Sequence, residues 1–204
     1  QLTYLDSALI EYEYLGVGRD DGREAGEYSP IFFDPSQWTV LESNTFWLSP
    51  TPSRVSRGWD AACHRICTYG LFNNINQQKV LVLNTHFDHV GNKARQKSIQ
   101  LIVEFLESVE DAKIIVTGDF NFTPDSELYR AMTTTLVDAY SLAKTSPHAP
   151  TFNGFQEDEK AKRRIDYIFL KDPIHFKKYQ VEHPKTEAGR QLSDHYPVKL
   201  TLSI

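Results

Sequence analysis

The chain reads as one strand-rich α/β domain, with helices inserted between strands of mixed direction. Short apolar runs bounded by Pro, Gly, Asn or Asp recur along it, the punctuation of strands and turns. Midway the period changes. Ile99, Ile102, Val103, Leu106 and Val109 fall on one helical face, between strand-like runs at Lys79 to Thr85 and Lys113 to Thr117. A further pattern bears on chemistry: His, Asp and Asn sit where several apolar runs stop or begin.

Taken in order, Leu5 to Tyr14 is a helix end leading into a strand. Tyr28 to Asp34 and Thr39 to Leu48 are strands joined near Pro35-Ser36, and Leu48 to Trp59, rich in Pro, Ser and Gly, is a surface loop. Arg65 to Phe72 and Lys79 to Thr85 pair around the polar turn Asn73-Asn74-Ile75-Asn76. Lys93 to Val109 is the amphipathic helix. Lys113 to Thr117 has an all-apolar centre and is expected to be buried on both faces. Pro124 to Met132 reads as a helix, with Thr123 as cap and Pro124 at the first helical position. Ile165 to Leu170 and Tyr196 to Leu202 complete the strands. No repeat, low-complexity stretch or linker divides residues 1–204, so a single domain with a sizeable core is expected.

The composition is that of an ordinary globular protein, 40% hydrophobic and 24% charged. The net charge of −5 argues against a broad cationic surface for nucleic acid, because phosphate neutralisation needs clustered Lys and Arg. It does not exclude a nuclease, since a bound divalent cation brings its own charge. Cys63 and Cys67 are neither a disulfide framework nor a structural zinc set; as small core residues on an extended strand they would face the same side. No apolar run is long enough to span a membrane, no signal peptide opens the chain, and no obligate protein partner is evident.

The chemistry concentrates in a few segments. In Gly118-Asp119-Phe120-Asn121, Asp119 follows a buried strand and a glycine that permits a sharp exit, so its carboxylate can turn into a cleft. Asn121, two residues on, shares its side of an extended backbone; together they can position a water and hold a phosphoryl oxygen, or simply form a turn. In Ser193-Asp194-His195, Asp194 is a hard oxygen ligand suited to Mg²⁺, and His195 titrates near neutrality and can act as acid or base. An imidazole needs its other nitrogen held, usually by a carboxylate. Asp166, within the apolar run Ile165 to Leu170, is the candidate holder; an outward-facing Asp on an edge strand is the other reading. His86 closes the strand before Phe87 and could stabilise an oxyanion or protonate a leaving group. The run His86-Phe87-Asp88-His89 also has the look of a metal cluster, but the Asp-rich remainder of the site prefers Mg²⁺ or Mn²⁺ to a transition metal.

These segments, with Asn84-Thr85-His86 and Arg164-Ile165-Asp166-Tyr167, resemble in order the motifs of the endonuclease/exonuclease/phosphatase superfamily. Gly16 to Gly22, Gly26 to Phe32 and Gly58-Trp59-Asp60-Ala61-Ala62 are similar to a bacterial branch of it. The resemblance implies a deoxyribonuclease-like four-layer sandwich: two mixed β-sheets packed face to face, flanked by helices. It implies a metal-dependent hydrolase of phosphate esters, foremost a phosphodiesterase or nuclease using an activated water. The alternative is a phosphatase or phospholipase-type enzyme acting on sugar, inositol or lipid phosphates. A binding module without catalysis is the third possibility, and the intact polar set argues against it.

The resemblance also implies roles. Asp194 and Asp119 would bind Mg²⁺ or Mn²⁺. Asp119 and Asn121 would position the water and the scissile phosphate, and His195, held by Asp166, would be the base or proton relay. His86 would contact the phosphate with Glu27 as its carboxylate partner. Arg19 would bind a substrate phosphate, or lie solvated in its loop. Trp47, Trp59, Phe152 and Phe155 could stack a base or sugar, or pack the loops down. Lys160 to Arg164 could rim the cleft and attract an anion, or be a solvated basic turn. The family branch alone points to a bacterial extracytoplasmic compartment, with the cytoplasm as the alternative.

One departure matters. The superfamily pattern begins with a strand bearing an Asn and a second strand ending in Gln-Glu, whose Glu is the main metal ligand. Here Gln156-Glu157 is the adjacent pair, and it lies in a polar stretch between Phe155 and Arg163. The chain is therefore expected to lack the N-terminal strand with that Glu, to bind Mg²⁺ poorly and to leave a strand edge or apolar surface uncovered. Turnover by residues 1–204 is expected to be low or absent, and an N-terminally extended form fully active. Steady-state assay of both forms checks this; equal turnover by the two would refute it.

Overall fold

The computed structural model describes residues 1–143, 149–156, 162–171 and 176–203. Its centre is a six-stranded mixed sheet built from β3 (Trp38–Trp47), β4 (Ile66–Asn74), β5 (Lys79–His86), β6 (Lys113–Asp119), β7 (Val137–Asp138) and β8 (Asp166–Leu170), in the order β3-β4-β5-β6-β8-β7. β5 and β6 are parallel, joined across the 16-residue helix α2 (Asn92–Glu107); the other neighbours are antiparallel.

Strand alternation divides the core in two. Cys67, Tyr69, Leu81, Leu83, Ile114, Val116, Tyr167 and Phe169 point to one face, where α2 buries Ile99, Ile102 and Leu106. Helix α3 (Glu127–Thr133) adds Leu128 and Met132 there. Val80, Val82, Ile115, Ile168 and Leu170 point to the other face. That face is covered by two separate antiparallel pairs. One is β1 (Glu13–Leu15) with β2 (Ile31–Phe33), after the short helix α1 (Leu2–Ala8); the other is β9 (Phe176–Val181) with β10 (Val198–Leu202). Between them runs a largely apolar groove of about 720 Å³, lined among others by Phe33, Val80, Val82, Ile115, Leu200 and Leu202. This is the expected α/β sandwich, with its second layer split among the described residues.

Most elements follow the hydrophobic period. Three do not. The predicted helix from Pro124 begins only at Glu127. Ser126, not Thr123, caps it by accepting the Tyr129 N–H at 3.1 Å, and the Ser126 N–H donates to the Thr123 carbonyl, so Pro124 and Asp125 lie in a turn. Strand β9 and the turn-like α4 (Ala139–Leu142) have no clear sequence signal. Cys63 is half-buried and lies before β4, so it does not share a strand face with the buried Cys67. Within the resembling Gly58 to Ala62 segment, Asp60 caps α2 by accepting the Lys93 and Ala94 N–H groups.

The loops behind the sheet's site end are pinned by aromatic packing. Phe120, fully buried, meets Phe87, Phe122, Tyr167 and Phe169 at centroid distances of 4.9, 5.6, 5.9 and 5.1 Å. It lies between Asp119 and Asn121, so one anchored ring fixes both neighbours. Phe120→Ala should cost about 3–5 kcal/mol by urea unfolding; a loss below about 1 kcal/mol would show that this ring is not the anchor.

Candidate active site

Strand register assembles the site before any side-chain contact is considered. His86 at the end of β5 pairs with Asp119 at the end of β6, and Asp119 pairs with Asp166 at the start of β8. Three neighbouring strands therefore present an imidazole and two carboxylates in one row. Gly118 makes this possible. Its φ is +151°, and a Cβ there would lie 2.0 Å from the Thr85 carbonyl oxygen, so a side chain would force β6 away from β5.

Two carboxylate–imidazole pairs converge on Asp119. Glu27 holds His86 through Nδ1, and His86 Nε2 lies 3.4 Å from Asp119 Oδ2. Asp166 Oδ2 accepts from His195 Nδ1 at 2.9 Å, and His195 Nε2 lies 3.8 Å from the same Asp119 oxygen. Each ring thus has one nitrogen oriented by a carboxylate and the other turned to the centre. The His86 hydrogen bond, against burial and with help from His86, Arg19 and Arg65 charge, holds Glu27 at about 2. Asp166's hydrogen bond outweighs burial and raises His195 above its ordinary value. Burial, then repulsion from Asp166, raises Asp119.

Asn121 joins the centre in a left-handed conformation, φ +51°. Its N–H donates to Asp119 Oδ1 at 2.9 Å and its Nδ2 to the Phe87 carbonyl at 2.9 Å, so turn and site are the same feature here. Arg19 is mostly buried, with Nη1 2.9 Å from Glu27 Oε2; it is not the solvated loop arginine. Phe152 packs edge-on against the His195 ring at 5.0 Å. Trp59 is half-buried in its loop at φ +39°. Trp47 is buried and donates from Nε1 to the Arg19 carbonyl, while Phe155 is exposed. Lys160 and Glu157 lie outside the described residues.

The donors near enough to share a cation are Asp119, Asp166 and His195, whose ligand atoms lie within 4.8 Å of one another. Asp194 is not in that set. Its Oδ1 is 3.4 Å from the Ser193 hydroxyl, and its carbonyl accepts the Asn153 and Gly154 N–H groups. Two adjacent carboxylates, one with a raised pKa, are an arrangement that a hard divalent cation relieves, so the donor set fits one. Cys63, Asp88 and His89 also cluster. Asp88 there is saturated by the N–H groups of Ala62, Cys63, Val90 and Gly91 and by Arg65 Nε, while Arg65 Nη2 meets His89, so a cation is disfavoured.

Sequence reasoning missed three supporting residues. Arg65, buried at the head of β4, bridges Asp88 and His89 and reaches within 4.0 Å of Glu27. Thr151, fully buried, accepts the Ile165 and Asp166 N–H groups on Oγ1, both at 3.0 Å, and its carbonyl accepts the Tyr196 N–H. Asn153, also fully buried, donates from Nδ2 to the Ser193 carbonyl. Thr151 thus ties the Asp166 strand to the His195 loop, and Asn153 anchors that loop at Ser193. The loop aromatics Phe152 and Phe155, which flank these positions in the sequence, are the nearest signal.

A row of strand-end carboxylates and imidazoles on this α/β sandwich is suited to metal-assisted or acid–base hydrolysis of a phosphoester. The chain belongs to the endonuclease/exonuclease/phosphatase family, which residues 21–195 match. Among solved structures, a family member from Bacteroides thetaiotaomicron is 37% identical with a TM-score of 0.92, over 98% of this chain and 78% of that one. A mannosyl-6-phosphatase from the same organism is 38% identical with a TM-score of 0.90, over 100% and 81%. D. rerio TDP2 complexed with single-strand DNA product is 20% identical with a TM-score of 0.79, over 100% and 81%, a likeness of fold. No curated protein matches the chain.

The His195 shift gives a direct test. Carbon-13 NMR titration should place His195 above 6.5. Asp166→Asn should lower it, and Thr151→Val should lower it partly while Thr151→Ser restores it. In a folded protein, an unmoved His195 titration in Asp166→Asn would remove Asp166 from the pair.

Proposed function

We propose that the protein is a divalent-metal-dependent phosphomonoesterase acting on phosphorylated sugars, with Mg²⁺ or Mn²⁺ as the ion. The observation that carries the hydrolytic reading is the convergence of both imidazoles on Asp119 Oδ2. Preference for a sugar monoester over the expected diester rests on the 38% identical mannosyl-6-phosphatase, matched over the whole chain, and on the acidic net charge.

In this reading Asp119 and Asn121 orient a water in line with the phosphorus. His195 Nε2 takes the water's proton, and Asp166 stabilises the imidazolium through Nδ1. Its raised pKa means that the neutral, accepting form dominates only above the ordinary histidine range, so the acid limb of the rate profile moves up in pH. As the P–O bond to the sugar breaks, the departing sugar oxygen takes its proton from solvent, while His86, oriented by Glu27, donates from Nε2 to a phosphoryl oxygen. A cation held by Asp119 would neutralise phosphate charge.

The test is phosphate release from mannose 6-phosphate and p-nitrophenyl phosphate against bis-p-nitrophenyl phosphate and single-stranded DNA. It is run on residues 1–204 and on the extended form, with Mg²⁺, Mn²⁺ or chelator. Monoester hydrolysis that needs metal and falls about 100-fold or more in His195→Ala and Asp119→Ala is expected. Hydrolysis of diesters alone would overturn the reading in favour of a phosphodiesterase.

A further inference from the structure

The fold splits the basic run before β8. Arg164 turns inward, with Nη1 2.7 Å from the buried Asp138 carboxylate and its guanidinium over the Tyr140 and Tyr167 rings. Arg163 stays exposed, its guanidinium 5.1 Å from the centre of the Phe152 ring, whose other neighbour is the His195 imidazole. Arg163 thereby reaches the wall of a cavity of about 480 Å³ beside the reaction centre, a volume within the range of small-ligand sites.

That cavity includes Asn121, so it opens onto the residue that orients the water. Its other walls carry Arg95 and His89, with the amides of Asn92 and Gln96. Arg95 is tethered rather than loose: Nη1 donates to the Asp88 carbonyl at 2.7 Å. Against two guanidinium groups and an imidazole, the lining has a single carboxylate, Glu127. On a chain of net charge −5 this is a local reversal of sign next to the site. Guanidinium groups with flanking amides are the donor set that phosphate oxygens match.

We propose that this cavity is a second anion subsite, which takes a phosphate of the substrate other than the one hydrolysed. The proposal rests on the phosphomonoesterase reading and narrows it to substrates with two phosphate groups. The second phosphate has two possible sources, a sugar bisphosphate or the neighbouring diester of a 5′-phosphorylated nucleic acid.

The experiment is calorimetric binding to the full chain, in chelator, of fructose 6-phosphate against fructose 1,6-bisphosphate, and of a 5′-mononucleotide against its 5′-phosphorylated dinucleotide. The second phosphate should tighten binding about tenfold or more in one of the two pairs, and that pair names the source. Arg163→Gln and Arg95→Gln should each remove most of the gain, while the surface control Lys178→Ala keeps it. Arg163 is exposed, so its variant serves even if the Arg95 variant folds poorly. A ratio near one in both pairs, or a ratio unmoved in a folded Arg163→Gln, would overturn the subsite. Failure of the chain and its extended form to hydrolyse any monoester would sink the functional reading instead, and the binding ratio would still decide the subsite.

Discussion

Strand β6 is hydrogen-bonded on both sides, parallel to β5 and antiparallel to β8, and this pairing is the constraint on which the site depends. It lays His86, Asp119 and Asp166 in a row without help from any loop. The close approach of Gly118 to Thr85 keeps the row tight. Because β6 is packed on both faces, its end is as fixed as the core. A site on rigid strand ends costs little reorganisation when charge develops.

The electrostatics follow from that row. Burial raises Asp119, and repulsion from Asp166 in the adjacent register position adds to it, so Asp119 holds its proton more readily than an ordinary aspartate. The outer carboxylates, Glu27 and Asp166, each hold an imidazole by a hydrogen bond, and Glu27 also pairs with Arg19. Glu27 is the more exposed, and solvent screening weakens its pairs, so the Asp166–His195 pair is the better insulated of the two. The centre is left with Asp119, 3.4 and 3.8 Å from the two imidazoles, which is where a cation or a water is best placed.

Neighbouring residues of like chemistry meet different fates by burial. Arg164 gives its charge to Asp138 inside the fold, where loss of either partner would strand a buried charge. Arg163, one residue earlier, keeps its charge for the cleft wall. Asp88 is spent on organising the turn after His86: burial raises its pKa, but the N–H groups of Gly91, Ala62, Val90 and Cys63 more than reverse this.

The sequence by itself determined the main helix and the strands other than β7 and β9, because a strand buried on one face and a helix docked on one side leave periods of two and 3.6 in the apolar residues. It also marked His86, Asp119, Asn121, Asp166 and His195, since a polar residue where an apolar run stops stands out locally. The pairing of Glu27 with His86, across 59 positions, was legible only through family resemblance. The start of α3 differs from the sequence reading because Pro124 suits a turn as well as a first helical position, and Ser126, the stronger cap, takes the helix start. Tertiary structure alone decided the work of Thr151 and Asn153, whose bonds to Ile165 and Ser193 cross 14 and 40 positions. It alone separated Arg163 from Arg164 as well. A hydrogen bond or a burial choice between distant segments is set by where the sheet register brings the chain back, and it leaves no period in the sequence to read.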